Sequence, residues 1–110
     1  MSQTLWILEE NQESDSCDHT FVLHELDKVD AYCKAGGYQP LSYYIDESIM
    51  AEDFGIDIPA KYFDAVEIVE LFEYLIGFGS VEVREEIADI LTKAKQSHAR
   101  GAKVRLAMVA

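Results

Sequence analysis

Near its carboxyl end the chain has the stretch Ala102-Lys103-Val104-Arg105-Leu106-Ala107-Met108-Val109. Its larger apolar residues recur at every second position, which is typical of a strand with one buried face. Near the other end of the chain, Thr4 to Glu9 holds the continuous apolar run Leu-Trp-Ile-Leu, which predicts a second strand. Because helical patterns occupy the sequence between these two segments, we expect the terminal strands to pair in one small sheet.

Three amphipathic patterns between the strands predict the main helices. The first runs from about Thr20 to Ala35, the second from an N-cap at Asp64 to about Phe78, and the third from an N-cap at Ser80 to about Ala99. In each of them apolar residues recur at spacings of three and four, as in a helix that turns one stripe toward a core.

The segments between these helices are less regular. Residues 41–45 alternate apolar and polar side chains, which predicts either a third strand or a tight turn with aromatic packing. Residues 46–62 show no sustained period and predict an irregular connector, with a helical turn near Ser48 to Phe54 as an alternative. The sequence as a whole predicts an α+β fold and a single globular domain over residues 1–110.

Composition narrows the possible classes of protein. The 110 residues are 49% hydrophobic and include only 6 Gly and 2 Pro, so the chain has enough apolar side chains for a core, and fibrous or disordered classes are excluded. With 21 acidic against 9 basic residues the formal net charge is -12. An anionic surface repels phosphates, so we expect no direct binding of nucleic acid.

Targeting and cysteine patterns favour the cytoplasm. No apolar run approaches the length of a membrane span, and the first residues lack the basic start of a signal peptide, so we expect no contact with a membrane. Without a secretion signal, Cys17 and Cys33 are expected to be free thiols.

Metal, nucleotide and hydrolase motifs are missing from the sequence. Cys17, His19, His24 and Cys33 are potential ligands, but His24 and Cys33 lie nine residues apart on one predicted helix and face opposite sides. Cys17 and His19 are expected in a loop. No GxGxxG, P-loop, GxSxG or HExxH pattern occurs, so we expect neither a metal nor an organic cofactor.

An enzymatic alternative rests on two carboxylates beside aromatic-rich segments. Asp46 follows residues 41–45, and Asp64 follows Tyr62-Phe63. A small hydrolase or metal-dependent enzyme would combine Asp46 and Asp64 with His98 or His19. The simpler expectations are that Asp64 caps a helix and that His98 is partly buried at the edge of a core-facing stripe.

Charge is distributed unevenly along the chain. All 21 acids lie in residues 1–90 with only four bases, a formal charge of -17, whereas residues 91–110 carry five bases and no acid. Dipole complementarity in the third helix explains the basic segment. Two predicted loops remain strongly acidic. Tyr74 is expected to be exposed on the polar side of the second main helix, near Glu67 and Glu70. The residues expected to face a partner are Glu9, Glu10, Glu13, Asp15 and Asp18 in the first loop, Asp46, Glu47, Glu52, Asp53 and Asp57 in the second, and Tyr74.

Acidic loops speed association with a basic partner, although solubility alone also explains them. The leading hypothesis is therefore a small acidic, non-enzymatic protein that binds a basic macromolecule, in the manner of an inhibitor, an immunity-type protein or a nucleic-acid mimic. A further alternative is a homo-oligomeric accessory domain that associates through an exposed edge of its terminal sheet.

Overall fold

The terminal strands pair with each other in a computed structural model that describes residues 3–110. Strand β1, Thr4–Glu9, runs antiparallel to strand β4, Lys103–Val109, with Ile7 opposite Leu106. Two short strands share the other edge of β4: β2, Ile45–Asp46, is parallel to it, and β3, Phe63–Asp64, is antiparallel to it. All three strands therefore depend on β4, which lies in the middle of the sheet.

Six helices complete the fold of residues 3–110. They are α1, Phe21–His24; α2, Leu26–Ala35; α3, Leu41–Tyr44; α4, Ser48–Asp53; α5, Ala65–Leu75; and α6, Val81–Ala99. The long helices α5 and α6 pack against each other, α6 also packs on β1 and β4, and α2 packs on α5. Within residues 3–110 no helix is long and apolar enough to cross a membrane.

The core lies between the sheet and the long helices. Leu5 and Ile7 of β1 and Val104 and Leu106 of β4 join the apolar stripes of the helices in one buried cluster. The stripes predicted for the second and third main helices are buried almost completely, with Ile76 as the exception because α5 ends at Leu75. The radius of gyration of 13.1 Å is that of one domain of this length. The predicted α+β class is confirmed.

Of the two predicted helix caps, one forms its bond. The Ser80 hydroxyl accepts a hydrogen bond from the Val83 amide at 3.3 Å, as a serine N-cap should. Asp64 occupies the N-cap position of α5, but its carboxylate makes no capping bond. It lies instead in β3, opposite Lys103 of β4.

The first predicted helix is wrong as one continuous element, because the chain bends at Glu25 between α1 and α2. The carboxylate of Glu86 on α6 accepts hydrogen bonds from the amides of Phe21 at 3.1 Å and Val22 at 2.7 Å. These bonds hold α1 against α6, while Val29 and Cys33 of α2 pack into the core. The first part of the predicted helix is therefore bonded to α6, whereas the second part packs into the core.

The strand considered for residues 41–45 forms only at its end. Leu41 and Tyr44, three residues apart, are the buried side chains of this segment and belong to α3, so the helical spacing prevails over the alternation. The strand β2 begins at Ile45. The connector predicted for residues 46–62 contains α4, in the place given for the alternative helical turn.

The outer edge of β1 is covered by residues 10–19, which we call the strap. The amide of Leu5 donates to the carbonyl oxygen of His19 at 3.1 Å, that of Ile7 to the carboxylate of Asp15 at 3.0 Å, and that of Glu9 to the side chain of Gln12 at 3.1 Å. An edge strand presents unpaired backbone groups at alternate residues, and the strap occupies these three. The exposed edge predicted for the terminal sheet is therefore wrong at β1.

Side chains of α6 hold the strap and the end of β1 in place. The His19 ring lies 2.6 Å from Asp89, and Lys93 bonds to the Asp15 carboxylate. Glu9 accepts hydrogen bonds from Ser97 and Arg100. Since these four positions of α6 follow one another by three or four residues, they form one polar stripe beside β1.

We predict that acid weakens this stripe. Hydrogen bonds from Arg100 and Ser97 lower the pKa of Glu9 below its ordinary value of 4.5. Burial raises the pKa of Asp89, but hydrogen bonds from Lys93 and His19 outweigh it and bring the value below 3.8. A lowered carboxyl pKa stabilises the fold above its unfolded-state value and ceases to do so as the pH falls through its folded-state value.

The free energy of unfolding is therefore expected to decrease below about pH 4.5 in urea titrations. Glu9→Gln should cost about 1 kcal/mol at neutral pH, and the difference from wild type should shrink as the pH falls through the lowered pKa of Glu9, because the wild-type carboxylate then becomes protonated. Glu13→Gln, at an exposed position, is the matched control. A constant difference between Glu9→Gln and wild type across this range would contradict the prediction.

Candidate interaction surface

Asp46 holds both ends of the excursion from residue 47 to residue 60. Its carboxylate, buried on β2, accepts hydrogen bonds from the amide of Ser48 at 3.2 Å, the hydroxyl of Ser48 at 2.8 Å and the amide of Lys61 at 3.2 Å. Ser48 is the first residue of α4, and Lys61 begins the return to β3. One side chain thus fixes where α4 and the following loop leave and rejoin the sheet.

Arg105 of β4 compensates the charge of Asp46. Its Nη1 lies 3.3 Å from Asp46 and 3.4 Å from the Ser48 hydroxyl, and its guanidinium lies 5.5 Å from the ring centre of Tyr62. Side chains alternate along a strand, so Arg105 is on the face of β4 opposite to the core residue Leu106. The base of the excursion is therefore an ion pair on the face of the sheet that the long helices leave open.

Large apolar side chains project from this excursion. Phe54 is 77% exposed, Ile56 56% and Ile58 40%. The Phe54 and Met50 side chains separate two depressions of about 310 and 260 Å³, the first of which reaches Ile56 and Ile58, and the second Gln3 and Ala110. Exposed apolar side chains that lie together on a small domain are typical of interaction sites.

Four exposed carboxylates lie on the same excursion as this patch. Glu47, Glu52, Asp53 and Asp57 are exposed, and within residues 3–110 none of their side chains makes a hydrogen bond or ion pair. We call this set the acidic-apolar surface; it consists of Glu47, Met50, Glu52, Asp53, Phe54, Ile56, Asp57 and Ile58. Four of the five acids predicted in the second loop belong to it, and the fifth, Asp46, is buried beneath it.

The first acidic loop has a different role. Glu9 and Asp15 bond to cations of α6, and Asp18 accepts a 2.8 Å hydrogen bond from the Trp6 indole. Only Glu10 and Glu13 of the predicted set are exposed and have no side-chain partner in the described part of the chain. Three of the five carboxylates of this loop therefore bond within the molecule and hold the strap and the end of β1 in place.

Tyr74, which was expected to be exposed, is packed in an aromatic stack. Its ring stacks on Tyr32 and Tyr38 at centroid distances of 4.8 and 4.7 Å, and Tyr32 also stacks on Phe78. Its hydroxyl donates to the carbonyl oxygen of Tyr32 at 2.8 Å. Tyr74 does lie on the polar side of α5, as the predicted helix indicates, but Tyr32 of α2 covers that side.

Only two of the side chains of the enzymatic alternative lie at one place. Asp64 and His98 line one shallow depression of about 190 Å³. Asp46 pairs along β4 four residues beyond Asp64, about 13 Å away, and is occupied by Arg105. His98 is exposed rather than partly buried, because its neighbour Ser97 takes the buried position at that turn of α6.

His19, which was expected to be a loop residue, is buried. Its side chain is 1% exposed, with Nδ1 2.7 Å from the carbonyl oxygen of Leu5 and Nε2 2.6 Å from the Asp89 carboxylate. Since both neighbours are acceptors, the ring satisfies both contacts only when each nitrogen carries a proton. No local pattern around His19 indicates this burial, because its partner lies 70 residues away.

Sequence patterns also failed to identify the apolar part of the acidic-apolar surface. Phe54, Ile56 and Ile58 lie in a segment without helical or strand period, between acids and beside Gly55 and Pro59. Large apolar residues in such a segment are themselves a usable signal, since a loop places them on the surface.

Neither a metal site nor a relative adds to this description. No group of three or more side chains suited to hold a metal occurs among residues 3–110. Comparison of the chain with protein-family models, with curated proteins and with solved structures finds no match. The acidic-apolar surface is the most distinctive exposed feature of the described chain.

We predict that Asp46 is essential to the stability of this region. Asp46→Ala removes the acceptor for both ends of the excursion and leaves the guanidinium of Arg105 partly buried without its carboxylate. The free energy of unfolding in urea should fall by about 3 kcal/mol, as expected when one partner of a buried ion pair is removed.

Asp57→Ala, on the same excursion, is the control and should change stability by less than about 0.5 kcal/mol. A double variant, Asp46→Leu with Arg105→Met, should recover part of the loss because no charge is left buried. Equal stabilities of Asp46→Ala and Asp57→Ala would show that the contacts of Asp46 do not stabilise this region.

Proposed function

We propose that this chain is a small acidic binding protein that engages a basic macromolecular partner through the acidic-apolar surface and itself catalyses no reaction. The observation that carries the proposal is the combination, on one excursion, of the exposed side chains of Phe54, Ile56 and Ile58 with four carboxylates that form no ion pair with any residue from 3 to 110. An apolar patch without charge, or a charged loop without an apolar patch, would be weaker support for a docking site.

The chemistry of the surface specifies the partner. Burial of Phe54 and its apolar neighbours supplies affinity, whereas the carboxylates attract the partner and select the sign of its charge. A complementary segment therefore presents apolar side chains to the depressions beside Phe54 and lysine or arginine side chains to the surrounding acids. We infer a basic protein, bound as by an inhibitor, an immunity-type protein or a nucleic-acid mimic.

The attachment of the acidic-apolar surface to the sheet also supports binding. Asp46 ties α4 and the return of the loop to the sheet, so the surface is held before any partner arrives. A preorganised surface loses less conformational entropy on association. The chain therefore places its uncompensated acids on a supported element rather than on a free tail.

We place this encounter in the cytoplasm. Cys17 and Cys33 are both free, and the Cys17 side chain is exposed. An exposed free thiol suits a reducing compartment.

The first test concerns the apolar half of the surface. The probe is a synthetic amphipathic peptide with leucine on one face and lysine on the other, and its affinity is measured by calorimetry. Phe54→Ala should weaken binding at least about tenfold, because most of the exposed ring would become buried in the complex. Val81→Ala, which removes apolar atoms from a side chain that is 55% exposed on α6, should leave the affinity unchanged.

A polylysine peptide of the same charge should bind more weakly than the amphipathic probe and be indifferent to Phe54→Ala. If Phe54→Ala binds the amphipathic probe as tightly as wild type does, the acidic-apolar surface is not the docking site.

The second test concerns the charge. The double variant Glu52→Gln with Asp53→Asn should slow association with the amphipathic probe and reduce its dependence on salt, since long-range attraction acts mainly on the association rate. Glu10→Gln with Glu13→Gln makes the same change of charge on the strap and should have a smaller effect. Equal effects of the two double variants would mean that net charge alone, and not this surface, attracts the probe.

A further inference from the structure

We propose that His19 is a proton-dependent link between the strap and α6. In this proposal the attachment of the strap is strongest while both ring nitrogens of His19 carry a proton, and it weakens when one of these protons is lost at alkaline pH. The link is independent of the acidic-apolar surface, which lies on the excursion after β2.

The His19 ring is buried between two hydrogen-bond acceptors. Its side chain is 1% exposed, and its nitrogens lie 2.7 Å from the carbonyl oxygen of Leu5 and 2.6 Å from the carboxylate of Asp89. A neutral imidazole has one N–H group and one bare nitrogen, so it donates to only one of these oxygens. A bare Nδ1 would face a carbonyl oxygen, and a bare Nε2 would face a carboxylate. The ring donates to both acceptors only as the imidazolium.

The Asp89 carboxyl group does not supply the missing proton. The Lys93 ammonium lies 2.9 Å from the same Asp89 oxygen that contacts His19. Burial raises the pKa of Asp89, but hydrogen bonds from Lys93 and His19 outweigh it and hold the value below 3.8. Asp89 is therefore ionised at neutral pH, and the proton between the two side chains belongs to Nε2 of the ring.

The balance of charge around the ring leads to the same conclusion. Asp15, whose side chain is 2% exposed, lies 3.8 Å from Nδ1 of His19 and also bonds to Lys93. Two carboxylates, those of Asp15 and Asp89, thus share the ammonium of Lys93. One further cation makes this cluster neutral, and the His19 imidazolium supplies it. Because an unbalanced charge is costly to bury, the proton on the ring stabilises the packing of the strap on α6.

The cluster joins the strap to two other elements. The Leu5 amide donates to the carbonyl oxygen of His19 at 3.1 Å, so β1 and His19 are bonded through both the backbone and the ring. The charged groups around the attachment are Asp15 of the strap and Asp89 and Lys93 of α6 at the ring, Glu9 of β1 paired with Arg100 of α6, and Asp18 of the strap bonded to the Trp6 indole.

The direction of the pH dependence follows from the charges. A base that holds its proton in the folded state stabilises the fold at lower pH, and this contribution is lost as the pH rises and the proton dissociates. Burial lowers the pKa of Lys93, but its hydrogen bonds to Asp15 and Asp89 outweigh burial and raise the value above 10.5. Lys93 therefore keeps its charge between about pH 7 and pH 9, and a change of the cluster in this range reports on His19.

The first test measures the protonation of His19 by nitrogen NMR of the imidazole rings. The chain has 3 histidines, and the exposed rings of His24 and His98 serve as internal references. At about pH 7.5 an ordinary histidine is mostly neutral. Both nitrogens of wild-type His19 should nevertheless have the chemical shifts of an imidazolium at this pH.

Asp89→Asn tests whether the charge of the cluster holds this proton. In the variant Asp15 and Lys93 balance each other, and an asparagine amide can donate to a bare Nε2. His19 should therefore be mostly neutral at about pH 7.5. Glu85→Gln makes the same change of charge at an exposed position of α6 and should leave the His19 ring protonated as in wild type.

The second test measures the attachment of the strap through the Leu5 amide, because its acceptor is the carbonyl oxygen of His19. Between about pH 7 and pH 9 its protection against hydrogen exchange, relative to the intrinsic rate, should fall at least about tenfold in wild type, as expected when one charge-assisted hydrogen bond is lost. His19→Gln should show no such decrease. Both proteins keep Cys17, so an effect of its exposed thiol would appear in both.

Three results would overturn the proposal. The first is a wild-type His19 ring that is neutral at about pH 7.5. The second is a His19 ring that stays equally protonated in Asp89→Asn, since Asp89 would then not hold the proton. The third is protection of Leu5 that does not change with pH in wild type or falls equally in His19→Gln. The measurements on wild type need no variant, so they decide the question even if Asp89→Asn or His19→Gln does not fold.

Discussion

Hydrogen bonding to β4 is the constraint on which the rest of this structure depends. Strands β1, β2 and β3 all pair with these seven residues near the end of the chain. Pairing with β1 sets the edge that the strap covers, whereas pairing with β2 and β3 sets the two points between which the excursion carries α4. Because the other three strands pair with β4, the sheet can be completed only after almost the whole chain is available.

Acidic side chains serve two different purposes in the two loops. Glu9, just before the strap, and Asp15 within it bond to cations of α6, and Asp18 bonds to the Trp6 indole. These carboxylates therefore have their partners inside the molecule. Of the five acids in the second loop, Asp46 has such a partner among the described residues, Arg105. Among residues 3–110 the carboxylates around Phe54 have no ion-pair partner, which is why the proposed binding surface lies there although the two loops look alike in composition.

Local patterns predicted those elements whose side chains obey one period. The bounds of β1, the Ser80 cap and the buried stripe of α6 from Val83 to Ala94 all follow from neighbours within a few residues. Prediction was poorer wherever a distant group competed with the local pattern. Glu86 holds the start of α1 against α6, and the buried His19 ring contacts Asp89. The candidate site was half predicted: its acids were found, and its apolar residues were not.

The sequence by itself determined the fold class, the pairing of the terminal strands and the concentration of acid in two loops, because periodicity and composition are local properties. Only the tertiary structure decided which acids are neutralised and which remain free, and whether the edge of β1 is open. Those outcomes depend on contacts such as that between Asp15 and Lys93, 78 residues apart, or between Asp46 and Arg105, 59 residues apart. Such contacts exist only after the strands and helices have packed, since nothing in the neighbouring sequence of either residue specifies its partner.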